Sequence, residues 1–196
     1  LNAWWLEQSP HLLNEEENFL SGVNRRRAIS KALFHASRTR ASPYESEGLF
    51  NIKTSSDNPE VALVVGLGGG TGSGMFIELA KELNQRDIEV DLFAIAPGRT
   101  EESRHTANAH AALSELEYLS VSSENENPFR GIILLPYGPA KDLYEVDRFK
   151  EAVVHTIVGY QNLDSDEQKD KIKQDTHTYA PFTIAAPQTL RFDVGE

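Results

Sequence analysis

Residues 60–75 read EVALVVGLGGGTGSGM, and this stretch decides the fold of the chain. Glu60–Val65 is an apolar run of strand length, which is typical of a central parallel strand that is buried on both faces. Glycines follow it directly, and apolar residues recur at helical spacing over Phe76–Leu83. The stretch therefore predicts a strand, a tight glycine turn and a helix that begins near Ser73–Met75.

The glycine turn, Gly66–Met75, predicts a phosphate-binding loop. Glycine has no Cβ, so the backbone can approach a ligand closely, and the start of a helix adds N–H groups and a favourable dipole. A turn that needs glycine for packing alone is the alternative, which is disfavoured because so many glycines cost conformational entropy. The residues predicted to bind phosphate are Gly68, Gly69, Gly70, Thr71, Gly72, Ser73 and Gly74.

Spacing excludes two common phosphate-binding motifs in this loop. The dinucleotide fingerprint G-x-G-x-x-G requires glycine where Thr71, Ser73 or Met75 stands, depending on the register. The Walker P-loop matches its two glycines at Gly69 and Gly74 but then requires lysine in place of Met75. Neither a Rossmann dehydrogenase nor a Walker-type NTPase is supported.

The rest of the chain alternates between strand and helix patterns. Residues 41–58 are rich in Ser, Pro, Glu and Asn and predict a long loop. The order of elements predicts a doubly wound α/β domain with a mostly parallel sheet. Helical spacing occurs in residues 22–40, Ala107–Leu119 and Asp147–Tyr160, and strand patterns occur at Ile88–Ala96, Gly131–Leu135, Thr183–Ala186 and Thr189–Val194.

Composition narrows the function classes. The 196 residues include 30 acidic and 19 basic side chains, and the net charge of −11 argues against nucleic acid as a partner. The basic cluster Arg25–Arg27 is either a solvated helix face or an anion contact. There is no cysteine, which excludes disulfides and Cys-ligated metal. No apolar run approaches the roughly 20 residues of a membrane span, and no secretory signal opens the chain, so we expect a soluble, cytoplasmic protein.

The segment centred on Gly69–Gly74 resembles the GGGTG(S/T)G signature of the tubulin and FtsZ superfamily. In that superfamily the loop holds the phosphates of GTP between a strand and a helix. The resemblance implies a three-layer, Rossmann-like GTPase domain with a mostly parallel sheet, GTP or GDP with Mg²⁺ as cofactors, and self-association into protofilaments. The opening WWLEQ and the helix NAHAALSELEYL are more similar to divergent prokaryotic tubulin-like proteins than to FtsZ itself.

The resemblance extends to the loop after the second strand and to the start of the long helix. It implies that Glu101 contacts the ribose, with Arg104 beside it and Asn108 a lesser candidate one turn further on. His105 stands where FtsZ proteins usually have arginine, and it is either a ligand contact or an ordinary loop histidine. Asp147 would accept hydrogen bonds from N1–H and the 2-amino group of guanine, or it is an ordinary helix N-cap.

Asn162, Asp164 and Glu167 fit the pattern N-x-D-x-x-(D/E) of the superfamily's catalytic loop. In the family this loop inserts into the nucleotide site of the next subunit and orients the attacking water. A carboxylate in that position would polarise the water, while Mg²⁺ and backbone dipoles carry the developing charge. A solvated acidic helix end is the alternative reading.

Parts of the superfamily pattern are missing from the sequence. Residues 1–60 contain no match to the family's first phosphate loop, although Ser21–Asn24 resembles the later loop that senses the γ-phosphate. We therefore expect residues 1–175 to form a nucleotide-binding domain without that first loop, and 176–196 to be a strand-rich remainder that could open a second domain. The chain is expected to be a fragment or a reduced relative.

Three functions stay open at this point. The first is a GTPase that hydrolyses GTP when it self-assembles. The second is a non-hydrolysing nucleotide-binding or scaffold module of the same fold. The third is an unrelated enzyme that uses the glycine loop for another phosphorylated ligand.

Overall fold

The computed structural model describes residues 25–40, 59–98, 101–122, 127–137, 143–163 and 181–185. These residues alternate between helix and strand, as the sequence predicts. In chain order the elements are α1 (Arg27–Arg40), β1 (Glu60–Gly66), α2 (Thr71–Asn84), β2 (Glu89–Ala96), α3 (Ser103–Ser122), β3 (Gly131–Pro136), α4 (Leu143–Gln161) and β4 (Thr183–Ile184).

The four strands form one parallel sheet in the order β1-β2-β3-β4. Parallel neighbours need a crossover connection, and α2, α3 and α4 lie in the three connections between successive strands. The register aligns Val64, Phe93 and Ile133 across three strands. All carboxyl ends therefore meet at one edge of the sheet, next to the glycine turn that follows β1.

Helices cover both faces of the sheet. On one face α2 and α3 bury a cluster that includes Leu92 and Ala94 of the central strand. On the other face Phe93 packs with Val153 and Tyr160 of α4. Neighbouring residues of β2 alternate between these two cores, as expected for a strand that is covered on both sides. The predicted α/β, three-layer, Rossmann-like architecture is confirmed.

Three of the described helices begin earlier than the apolar pattern indicates, whereas α1 begins at Arg27, later than the predicted start of the 22–40 helix. The helix after the glycine turn begins at Thr71 rather than near Ser73–Met75, because Gly70 already has helical dihedral angles, φ −85° and ψ −48°. α3 begins at Ser103 and α4 at Leu143, four residues before each predicted start. Arg104, near the start of α3, is exposed, so its turn contributes no apolar residue to the periodic pattern.

Several predictions concern the end of the chain and residues outside the described ranges. Of the predicted strand Thr183–Ala186, the structure shows Thr183–Ile184 as β4, which pairs with β3 in the same sheet, while Ala185 is outside the strand and Ala186 is outside the described residues. The strand pattern at Thr189–Val194 and the loop at 41–58 lie outside the described residues. The domain division at residue 175 stays a prediction. Among the described helices, none is long and apolar enough to cross a membrane.

A cluster of charged side chains closes the amino-terminal edge of the sheet. Arg130, just before β3, lies 2.6 Å from Glu60 and 2.7 Å from Glu89, and its Nε donates to Asp91 Oδ1 at 3.2 Å. Asp91 is fully buried and also accepts a hydrogen bond from the Tyr160 hydroxyl at 3.2 Å. Hydrogen bonds to Glu60 raise the pKa of Arg130, which stays charged. The cluster therefore ties three strands to the end of α4.

Tyr160 makes folding stability depend on pH in the alkaline range. Burial, followed by the negative charge of Asp91, raises the pKa of its hydroxyl above the ordinary value near 10. Above pH 10 the unfolded chain loses this proton while the folded chain keeps it, so the free energy of unfolding should fall by up to about 1.4 kcal/mol per pH unit.

Urea unfolding of Tyr160→Phe between pH 8 and 11 measures this contribution. The variant should lose stability less steeply with pH than the wild type. Tyr118→Phe removes an exposed hydroxyl and is the matched control. Parallel pH curves for Tyr160→Phe and the wild type would contradict the assignment.

Candidate functional site

The glycine loop lies at the carboxyl-terminal edge of the sheet, between β1 and α2. Leu67 is fully buried, and its N–H donates to the Ile95 carbonyl at 2.9 Å, which fixes the start of the loop. Among the described residues, the next amide that meets a backbone acceptor is that of Gly74, which donates to Gly70 at 3.1 Å. The N–H groups in between are the unpaired donors that a helix N-terminus provides, so the loop offers a row of amides to a ligand.

The two hydroxyl residues of the loop have different surroundings. Ser73 is fully buried, and its hydroxyl donates to the Gly69 carbonyl. Thr71 is half-buried, and its carbonyl accepts a hydrogen bond from the Ser30 hydroxyl at 2.6 Å. The Ser73 hydroxyl therefore holds the loop together from the inside, a role that the sequence pattern does not distinguish from ligand binding.

The amino-terminal end of α1 packs directly on the loop. A Cβ atom on Gly70 would lie 2.5 Å from the backbone of Arg25, and one on Gly74 would lie 2.4 Å from the Arg27 carbonyl oxygen. The Arg27 guanidinium donates to the Ser73 carbonyl at 2.9 Å. Gly70 and Gly74 thus serve close packing, the reading that the sequence disfavours for the loop as a whole. Ser21–Asn24, which the resemblance assigns to a γ-phosphate loop, lies outside the described residues.

The segment before α3 places two of the predicted residues beside the loop. Glu101 accepts a hydrogen bond from the Gly98 amide at 2.9 Å, and its second oxygen lies 2.5 Å from His105 Nδ1. A Cβ atom on Gly68 would lie 3.0 Å from the Cβ of His105, so the helix start touches the loop. Arg104 is exposed. The structure brings Glu101 and His105 together with the glycine loop.

An ion pair spans the same edge of the site. The guanidinium of Arg25, just before α1, contacts the carboxylate of Glu102 at the start of α3. Both side chains are largely exposed, 41% for the arginine and 69% for the glutamate, so water screens this pair. The pair marks where α1 and α3 approach each other across the loop.

Asp147, the predicted guanine contact, lies on the first turns of α4. Its carboxylate is exposed and accepts from Lys150 at 3.0 Å, which identifies an intrahelical pair rather than an N-cap. Phe149 packs edge-on against Tyr137, with ring centroids 4.8 Å apart, and a Cβ on Gly98 would lie 3.0 Å from the Tyr137 ring. Tyr137 was missed by sequence reasoning, although its position two residues after the end of the predicted strand Gly131–Leu135 could have indicated it.

Asn162, the predicted catalytic residue that the structure describes, lies at the other end of the molecule from the glycine loop. α4 has 19 residues, about 28 Å of helix, and it ends where Tyr160 meets the amino-terminal edge of the sheet. Asn162 follows there and is exposed. Asp164 and Glu167 lie outside the described residues. Within one chain, Asn162 and the glycine loop are therefore at opposite edges of the sheet.

The described residues contain no group of three or more His, Asp or Glu side chains that could hold a metal ion. The backbone amides of the loop are donors and do not bind a cation. Mg²⁺ stays a prediction from the resemblance.

Comparison with known proteins adds a family and a fold. The family model described as "Tubulin like" matches residues 23–182. No curated protein matches the chain. Three solved structures are similar to it at identities that indicate a shared fold alone. CetZ from Methanosaeta thermophila strain DSM 6194 is similar with a TM-score of 0.58 and 19% sequence identity, and the match covers 81% of this chain and 43% of that chain. CetZ2 from Haloferax volcanii, in a GTPγS-bound protofilament, has a TM-score of 0.55 and 19% identity over 77% of this chain and 44% of that chain. TubZ of Clostridium botulinum phage c-st has a TM-score of 0.50 and 18% identity over 77% of this chain and 48% of that chain. The chain spans less than half the length of each.

Proposed function

Because the chain belongs to the tubulin-like family, we propose that it binds a guanine nucleotide with its phosphates on the Gly68–Gly74 loop. The observation that carries the proposal is the row of amides between Leu67 and Gly74 that have no backbone acceptor among the described residues. Such amides at a helix N-terminus suit a phosphate anion. Two Haloferax volcanii relatives of this fold have guanine nucleotide in their structures, GTPγS in CetZ2 and GDP in CetZ1.

The residues around the loop would orient the ribose and the base of the bound nucleotide. Glu101, held beside the loop by the Gly98 amide, would accept a hydrogen bond from a ribose hydroxyl. Arg104 would supply positive charge at the same edge. Asp147 would accept from the guanine edge once it releases Lys150, an exposed pair that costs little to break. Phosphates, sugar and base thus follow the carboxyl ends of β1, β2 and β3.

We further propose GTP hydrolysis at a contact between subunits. Asn162 lies at the edge of the sheet opposite the loop, so a second copy stacked head to tail would have to bring it to the phosphates. In this proposal Asp164 and Glu167, which follow it in the sequence motif, would enter the same site. The carboxylates would orient water for attack. Mg²⁺, when bound with the nucleotide, would neutralise phosphate charge. The CetZ2 protofilament supports self-association of this kind.

Titration of the purified chain with fluorescently labelled GTP, GDP and ATP tests the guanine proposal. A carboxylate that pairs with N1–H and the 2-amino group is left without donors by adenine, so we expect at least about tenfold weaker binding of ATP. Equal affinity for GTP and ATP, or no binding of either, would remove the proposal.

Substitution of Gly69 separates binding from packing. A Cβ atom at Gly69 would meet nothing closer than 3.7 Å, so Gly69→Ala should leave the melting temperature nearly unchanged. The methyl group would stand where a phosphate must approach the backbone, and we expect nucleotide affinity to fall at least about tenfold. Gly66→Ala, with nothing within 4 Å of its Cβ, is the matched control and should bind as the wild type does. Equal affinity of the two variants would place the ligand elsewhere.

Substitution of Asp164 tests the hydrolysis proposal. Asp164→Asn removes the charge that would polarise the water and should lower GTP turnover at least about tenfold, within the range for general acid–base groups, while GTP affinity is unchanged. Asp166→Asn changes a neighbouring carboxylate outside the motif and should turn over GTP as the wild type does. Phosphate release at high protein concentration measures both variants. Unchanged turnover in Asp164→Asn would mean that the catalytic residues are misassigned.

The second candidate is a nucleotide-binding module that does not hydrolyse. His105 favours it, because it stands where the superfamily usually has arginine and is turned toward Glu101, which leaves one fewer permanent cation at the phosphates. The dependence of phosphate release on protein concentration separates the two. A GTPase whose site is shared between subunits gains specific activity as it assembles, whereas a binding module releases no phosphate at any concentration.

A further inference from the structure

The carboxamide of Asn108 lies where three segments of the site meet. Its Nδ2 is 3.0 Å from the carbonyl oxygen of Arg25, 3.0 Å from that of Gly68 and 3.4 Å from that of Gly69. All three neighbours are acceptors, so the NH₂ group and not the amide oxygen faces them. The two hydrogens serve Arg25 and Gly68, and the Gly69 carbonyl takes a weaker, shared contact.

These hydrogen bonds fix how the glycine loop presents its amides. In a trans peptide the C=O of one residue and the N–H of the next point in opposite directions, and the peptide bonds of the described residues are all trans. With the Gly68 carbonyl held toward Asn108, the Gly69 N–H must point away from α3. The Gly69 carbonyl, which accepts from the Ser73 hydroxyl as well as from Asn108, has the same effect on the Gly70 N–H. Neither N–H meets a backbone acceptor among the described residues, so both are available to a ligand.

The third hydrogen bond ties the segment before α1 to the same point. Arg25 has φ of 60°, a left-handed conformation that is uncommon for a side chain of this kind. Asn108 donates to the carbonyl of this residue, and Gly70, without a Cβ, lies against its backbone. The side-chain amide of Asn108 thus holds the glycine loop and the segment before α1 in fixed positions relative to each other.

We propose that Asn108 is a positioning residue for the phosphate site, which holds two glycine peptides so that their N–H groups face the phosphates before the ligand arrives. The inference rests on the proposed function, in that it concerns the same loop. A glycine loop without such a holder samples other peptide orientations, and ordering it on binding would cost affinity. Asn108 removes that cost because it orders the free loop.

The experiment uses the whole chain labelled with ¹⁵N and inorganic tripolyphosphate, which has phosphates but no base. In the wild type the Gly69 and Gly70 amide signals should shift and saturate. Asn108→Leu keeps the approximate shape without donors or charge, and its affinity should be at least about tenfold weaker. Asn84→Leu is the matched control, because the Asn84 amide donates to a carbonyl, that of Pro128 at 2.8 Å, at the opposite edge of the sheet. It should bind as the wild type does.

Rescue by a conservative variant separates positioning from general stability. Asn108→Gln retains both donors on a longer side chain and should recover part of the affinity, whatever its melting temperature. If Asn108→Leu does not fold, Asn108→Ser replaces it, since the shorter side chain reaches fewer of the three carbonyls. Wild-type affinity in the donor-free variant, an equal loss in Asn84→Leu, or unresponsive Gly69 and Gly70 amides in the wild type would overturn the inference. A failure of guanine selectivity would overturn only the proposed function, because tripolyphosphate has no base.

Discussion

Replacement of Arg130 by leucine should lower the free energy of unfolding by about 3–5 kcal/mol. Arg130 is the cation that faces Glu60, Glu89 and the fully buried Asp91. Without it, Asp91 keeps the Tyr160 hydroxyl as a donor but loses its counter-charge, and three carboxylates repel one another at the edge of the sheet. An unpaired buried charge is among the few single changes that cost this much.

Chemical denaturation of matched variants measures this effect. Lys150→Leu removes a cation from an exposed i,i+3 pair with Asp147 at 3.0 Å on α4, and should cost less than about 1 kcal/mol. Adding Asp91→Leu to Arg130→Leu removes the buried charge itself and should restore part of the lost stability. A cost for Arg130→Leu no greater than that for Lys150→Leu would show that the cluster does not hold the strands together.

Alanine at Gly74 should destabilise the chain although alanine is the better helix former. The new Cβ would lie 2.4 Å from the Arg27 carbonyl oxygen and 2.8 Å from the Ser30 Cβ, so α1 must move away from α2. Overpacking of this kind costs about 1–3 kcal/mol, which exceeds the gain of about 1 kcal/mol from helix propensity. The same shift would pull α1 from the glycine loop and weaken nucleotide binding.

Gly159→Ala is the control, for which we expect the free energy of unfolding to rise rather than fall. Gly159 also lies inside a helix, α4, and nothing lies within 4 Å of its Cβ position. At this position alanine gains helix propensity without a steric clash, so the variant should be more stable by about 0.5–1 kcal/mol. Thermal and urea unfolding of both variants compare them. Stabilisation by Gly74→Ala would mean that α1 does not pack on α2 as observed.

The sequence predicts the fold well where local patterns and tertiary structure agree. Val61–Val65, the glycines and the apolar stripe of α2 each indicate their own element, and the alternation then requires a parallel sheet. The loop lies at the carboxyl edge as expected, because it follows a strand directly. The apolar pattern does not predict where α3 begins, because its first turn, which starts at Ser103, is polar and contains no periodic apolar residues.

The contacts that shape the site were not predictable, because they join residues far apart in sequence. Arg130 and Glu60 are 70 positions apart, and Asn108 and Arg25 are 83 positions apart. A side-chain amide that donates to backbone carbonyls leaves no motif, as any loop offers carbonyls. Ser73 illustrates the same limit: its hydroxyl suits a phosphate by type, but burial turns it to the Gly69 carbonyl.

The most direct test of guanine-nucleotide binding is a crystal structure of the chain with a non-hydrolysable GTP analogue. We predict phosphate oxygens within hydrogen-bonding distance of the Gly69 and Gly70 amides, the ribose beside Glu101, and the guanine edge at Asp147. Phosphates bound away from the Gly68–Gly74 loop, or a loop that stays empty at saturating analogue, would contradict the proposal.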